Sequence, residues 1–116
     1  MNYIDAFVAA IPTENFEAYL AVAQKNAAVF KQHGAISVCE CWGDDVPEGK
    51  LTSFPFAVKC EPHETVLFSW ITWPSRAVRD EGWKTAMEDP AMGHDVGKLF
   101  DGKRAIFGGF RAIVEA

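Results

Sequence analysis

Basic residues are scarce. Eleven Lys and Arg stand against sixteen Asp and Glu, a formal charge of −5 over 116 residues. A nucleic-acid binder needs a basic face that neutralises phosphates and releases counterions. Here the only adjacent basic pair is Lys103-Arg104, so nucleic acid is not an expected partner. Long apolar runs are missing too. Nothing approaches the ~20 residues that span a bilayer, so no membrane partner is expected. The first residues, Met1 to Asp5, show neither a basic n-region nor a small-residue cleavage site, so no signal peptide is read there. Cysteine is sparse and odd in number, at three. Reduced thiols in the cytoplasm are therefore expected rather than a disulfide framework. A phosphate-cradling glycine loop is also lacking, because Gly108-Gly109 falls inside a predicted strand with no helix after it.

Hydrophobic residues are plentiful, at 49%, and aromatics make up 13%. This is the composition of a folded chain, and its length fits a single domain, 1–116. Residues 3–11 read as a strand ending near Pro12. One face carries Ile4, Ala6, Val8 and Ala10; the other carries Tyr3, Asp5, Phe7 and Ala9. Residues 13–33 follow a helical period, with Phe16, Tyr19, Leu20, Ala23, Ala27 and Phe30 on one stripe and Gly34 as the stop. A second strand is predicted over 35–42, followed by turn chemistry through Gly49. Residues 52–60 alternate like a strand, but Ser53 ahead of Phe54-Pro55 also suits a capped helix start. We take a short helix there.

A third strand is predicted over 65–73. Ser75 then caps a helix over 76–88 whose weak stripe is Val78, Gly82 and Ala86. Gly82 costs roughly 1 kcal/mol in a helix interior, which is tolerable if it brings the helix close to a sheet. Residues 90–102 read as irregular, with one helical turn around Met92. A last strand is predicted over 104–114, with Gly108-Gly109 as a bulge or a point of close backbone approach. The order gives an α+β fold: a ferredoxin-like βαββαβ plait with a four-stranded antiparallel sheet and two helices on one face. The strands look apolar on both faces, so the uncovered face calls for a second subunit laid sheet-to-sheet as a homodimer.

Particular blocks resemble a known family. They include Tyr3-Ile4-Asp5-Ala6-Phe7, Glu40-Cys41-Trp42-Gly43-Asp44-Asp45-Val46-Pro47-Glu48-Gly49 and Phe68-Ser69-Trp70-Ile71. Others are Pro74-Ser75 with Arg79-Asp80, Asp89-Pro90, and Phe100-Asp101-Gly102-Lys103-Arg104 leading into Gly108-Gly109-Phe110. Nearly end to end, the chain resembles the YbaA-like family of small uncharacterised bacterial proteins, within the dimeric α/β-barrel superfamily. The resemblance implies a ferredoxin-like protomer that dimerises sheet-to-sheet into an α/β barrel, and it implies no assigned activity.

Three constellations could carry chemistry. If Ile4, Ala6 and Val8 meet the helices, Asp5 lies on the opposite sheet face. If Cys39 and Cys41 meet the helices, Glu40 and Trp42 lie there too. Asp5 and Glu40 could then form a carboxylate pair walled by Trp42 and Trp70, with Ser69 or Arg104 as hydrogen-bonding groups. A carboxylate in an aromatic cavity has a raised pKa and can act as an acid or base. The competing reading is structural, with the carboxylates paired to Arg104 or Lys103. The second constellation, Cys39-x-Cys41 with Cys60-x-x-His63, has four N/S ligands but lacks knuckle spacing; buried strand thiols are the better reading, and no metal is expected. The third is haem. Members elsewhere in the superfamily degrade it with a histidine near the second helix, and residues 76–88 contain none. Arg76, Arg79, Asp80 and Glu81 read as a solvated helix face.

The expectation is a cytoplasmic homodimer, without cofactor, that binds a small molecule between sheet and helices or in the barrel lumen. The alternatives are a non-catalytic dimeric module and a haem-linked or cofactor-free oxidoreductase. Whether the protein is an enzyme stays open at this level.

Overall fold

The computed structural model describes Met1–Ala116. Its strands are β1 (Tyr3–Pro12), β2 (Ser37–Trp42), β3 (Glu64–Trp73) and β4 (Ile106–Arg111); its helices are α1 (Phe16–Gln32), α2 (Phe54–Ala57) and α3 (Arg76–Glu88). Short 3-10 turns occupy Thr13–Asn15, Asp95–Lys98 and Gly102–Arg104. Helix starts follow the capping chemistry. Ser53 Oγ accepts from Phe56 N at 3.1 Å, with Pro55 in the first turn of α2. Ser75 Oγ accepts from Val78 N at 3.1 Å to open α3. Gly34, at φ +112°, takes the left-handed conformation that ends α1. No helix is long and apolar enough to cross a membrane.

The sheet order is β2-β3-β1-β4 with every neighbouring pair antiparallel. This is the predicted plait, with α1 and α3 on one face. The register sets the rows that line the helix-facing side. Phe107, Phe7, Ser69 and Glu40 form one row; Gly109, Asp5, Ile71 and Val38 form the next. The core on this side joins Tyr3, Ile71 and Trp73 to Val29, Phe30 and Ala86, and Ala9, Ile11 and Leu67 to Tyr19 and Ala23. Gly82 lets α3 come down on β3: an added Cβ would meet the Trp73 ring and lie 2.7 Å from the His33 carbonyl oxygen.

On the other face, Val58 and Val46 from the segment before β3 pack on Val8, Ala10 and Val66. Phe54 of α2 meets the Phe68 ring edge-on at 5.8 Å. The remainder of that face stays open. Phe110 is 58% exposed and Ile106 44%, beside the half-buried Ile4 and Trp70.

Several sequence expectations are corrected. The side of β1 that meets the helices is Tyr3, Asp5, Phe7, Ala9 and Ile11, not Ile4, Ala6 and Val8. Val38, Glu40 and Trp42 face the helices as well, and Cys39 and Cys41 lie on the open face. Both faces of these strands are apolar, so alternation alone could not orient them. Phe7 and Trp42 are therefore not on the uncovered face. The last strand is shorter than 104–114, because Asp101 accepts from Lys103 N at 3.0 Å and winds Gly102–Arg104 into a turn. The turn in the 90–102 stretch centres after Met92, at Asp95–Lys98. Gly108-Gly109 forms no bulge, since the β1–β4 register runs unbroken from Tyr3↔Arg111 to Val8↔Ile106. What approaches Gly109 is side chain, the Arg79 guanidinium and the Tyr3 ring.

Candidate functional site

A cavity of about 710 Å³ opens between the sheet and the helices. Its floor is the two central rows of the sheet, its walls are α1 and α3, and the segment from Met92 to Phe100 closes over it. Side-chain amides and carboxylates hold that closing segment. Asn26 clasps Gly93 both ways, donating to its carbonyl at 3.1 Å and accepting from its N–H at 2.8 Å. Asn15 donates to the Leu99 carbonyl at 2.8 Å, and His33 pairs with Asp89 at 2.8 Å. Phe100 then lays its ring edge-on to Phe7 and Tyr19.

One end of the cavity is polar and partly unsatisfied. Tyr19 on α1 donates its hydroxyl to Glu40 Oε1 at 2.7 Å. Burial pushes the Glu40 carboxyl above its ordinary value, and the Tyr19 bond only partly opposes this. Glu40 itself stays exposed at the edge of β2, so this desolvation is partial. Tyr19 is raised as well, first by burial and then by the neighbouring Glu40 charge. Ser69, 6% exposed, sits opposite Glu40 in the β2–β3 register and turns its side chain to the cavity.

At the other end Asp5 is fully engaged. Its Oδ2 accepts from Trp73 Nε1 at 2.9 Å and Trp83 Nε1 at 2.8 Å, and its Oδ1 accepts from Arg79 Nε at 3.0 Å. Arg79 also donates to Asp80, at 2.7 Å, and to the Tyr3 hydroxyl, and lies 4.9 Å over the Tyr3 ring. The structural reading of Asp5 therefore fits, but with Arg79 as partner rather than Arg104 or Lys103. Arg79 belongs to this hub and not to a solvated helix face.

Of the six predicted pocket residues, Asp5, Glu40 and Ser69 line the cavity, but Asp5 and Glu40 stand at opposite ends of it and do not form the expected carboxylate pair. Trp42 packs on Phe16 of α1 with ring centroids 4.9 Å apart, outside the lining. Trp70 lies on the open face against Phe68. Arg104 is remote: it grips Glu64 with two 2.7 Å bonds and donates to the Lys59 carbonyl and to Asp101. That guanidinium holds the Glu64 carboxyl below its ordinary value. Tyr19, Asn26, Arg79 and Trp83 were missed. The signal was present for three of them: Tyr19, Asn26 and Arg79 fall at helical spacing from Ala23, Phe30 and Gly82 and so share the buried stripes.

The thiols of Cys39 and Cys41 lie 3.7 Å apart. Burial pushes the Cys41 and Cys60 thiols up, which leaves them poor nucleophiles near neutrality. No three His, Cys, Asp or Glu residues gather in ligating geometry. The cavity does not fit haem. Its one histidine, His94, is exposed on the closing segment, and its one guanidinium is already tied to two carboxylates, Asp5 and Asp80, rather than open to propionates.

Residues 2–102 match the family described as Protein of unknown function (DUF1428). Uncharacterized protein YbaA of Escherichia coli K12 is 48% identical over 117 residues, covering 99% of each chain. The chain belongs to the DUF1428 family. The Shigella flexneri protein of the same name matches this DUF1428 chain with the same identity and coverage. Among solved structures, a dimeric ferredoxin-like protein from an uncultured marine organism superposes with a TM-score of 0.63 at 11% identity, over 99% of this chain and 98% of that one. A variant of SnoaB, a cofactor-independent oxygenase from Streptomyces nogalater, gives 0.62 at 12% identity, over 98% and 95%. At such identities the likeness establishes the fold, and it bears out the ferredoxin-like reading of this DUF1428 member.

Proposed function

We propose that this protein binds a small, mainly apolar molecule in the cavity between sheet and helices, and does so as a homodimer paired through the open sheet face. The observation that carries the first part is a 710 Å³ space with apolar walls and one polar end made by Glu40, Tyr19 and Ser69. That size and that composition are typical of small-molecule sites. The open, aromatic sheet face supports the second part, as does the fold likeness to a protein described as dimeric. The test is a thermal-shift screen with apolar compounds. A ligand bound only by the native state raises Tm in proportion to the logarithm of its concentration. Filling the cavity with Ala23→Leu should abolish that response, and a response that survives would place binding elsewhere.

A second reading is a cofactor-free oxygenase. Its support is the fold shared with SnoaB and a carboxyl held above its ordinary value beside the cavity, the condition of a general base near neutral pH. Oxygen uptake that depends on a bound ligand and on Glu40 would distinguish catalysis from binding alone.

A further inference from the structure

The charges around the cavity are unevenly satisfied. Asp5 has three donors, and Arg79, the only Lys or Arg in the lining, gives its own donors to Asp5, Asp80 and Tyr3. The Arg79 guanidinium is already held by two carboxylates, which weakens its pull on an anionic ligand. Glu40 stands alone: Tyr19 reaches Oε1, and no cation or backbone N–H of the protein reaches either oxygen. Beside it, Ser69 is 6% exposed and its hydroxyl makes no hydrogen bond within the protein, although it faces the cavity. The walls at this end include the rings of Phe7 and Phe100, whose π faces attract cations. A carboxylate without a cationic partner, exposed on the lining of an apolar cavity, attracts a cation, does less for a neutral donor and repels a second anion.

We propose that the cavity selects a lipophilic amine, its apolar body lodged among the aromatic side chains and its protonated nitrogen donating to Glu40 Oε2 and Ser69 Oγ. This rests on the small-molecule reading above and names the ligand class. The test is calorimetric titration of the intact protein with three matched probes: naphthylethylamine, naphthylethanol and naphthylacetate. The amine binds the wild type roughly tenfold or more tightly than the alcohol, the size of a charge-assisted hydrogen bond, and the acetate does not bind. Glu40→Gln removes the preference for the amine, lowering its affinity far more than that of the alcohol. An alcohol that binds as tightly as the amine overturns the amine assignment and leaves the cavity reading intact. So does amine affinity that is unmoved by Glu40→Gln. Failure of all three probes at millimolar concentration overturns both readings. The comparison of probes on the wild type stands whether or not the variant folds.

Discussion

Arg79 reaches from α3 to β1, its Nε donating to Asp5 Oδ1 at 3.0 Å, and both side chains are largely buried. The same carboxylate holds the indole N–H groups of Trp73 and Trp83, so one short side chain ties α3 to the sheet. Asp5→Asn keeps the volume but removes the charge and turns its NH2 group toward either the Arg79 Nε–H or the two indole N–H groups. It should lower the unfolding free energy by about 3 kcal/mol, the scale of a buried ion pair broken on one side. Urea denaturation measures this, and a loss below about 1 kcal/mol would show that the hub does not hold α3.

Gly82 tests the close approach of α3 independently. In most helices Gly→Ala is worth about 1 kcal/mol of stability. Here the new methyl would meet the Trp73 ring and the His33 carbonyl. Gly82→Ala should therefore destabilise by about 1–3 kcal/mol, the range for overpacking. Gly97→Ala, where the added Cβ meets open space, should cost much less. If both variants have the same Tm, the proposed packing of α3 on Trp73 is wrong.

Local chemistry made much of the fold legible. Ser53 before Phe54-Pro55 and Ser75 before α3 act as the caps their positions implied, and Gly82 lies where helix and sheet approach. Sheet facing was not legible, because Ile4, Ala6 and Val8 are as apolar as Tyr3, Phe7 and Ala9. A strand covered on one side by helices and on the other by α2 and its flanking loop carries no alternation to read. That ambiguity carried over to the site. Asp5, Glu40 and Ser69 do line one cavity, but Trp42, Trp70 and Arg104 were grouped with them and lie elsewhere. Arg79 was missed for a further reason. Its charge suggests solvent, and only its spacing from Gly82 and Ala86 shows that it shares the buried stripe.

Glu40 makes stability depend on pH with a definite sign. Its carboxyl is raised above 4.5 in the folded protein, so the native state holds this proton more tightly than the unfolded chain. That contribution is present in full at pH values below the unfolded pKa and is lost as pH rises through the folded one. Glu40→Gln keeps an acceptor for Tyr19 without the charge. At neutral pH the variant should have a higher Tm than wild type, and the difference should close as pH falls toward 4.5. A gap that does not change between pH 4 and pH 7 would show that Glu40 is as well solvated in the native state as in the unfolded chain.

The open sheet face gives the test of assembly. Phe110 and Ile106 stay exposed beside Trp70 and Ile4, and Phe68 and Trp70 continue the aromatic surface with ring centroids 5.7 Å apart. A stable interface between two copies would bury roughly 2,000 Å². Two-fold symmetry would place each substitution in it twice. The wild type should sediment at twice the 12.8 kDa chain mass. Trp70→Glu or Phe110→Glu should give folded monomers, since neither residue belongs to the core between sheet and helices. Trp42→Glu should behave differently, loosening the protomer itself because Trp42 packs on Phe16. Glu17→Lys, on the exposed side of α1, should neither split the dimer nor unfold the protomer. A wild type that sediments as a monomer at micromolar concentration would rule out pairing through this face.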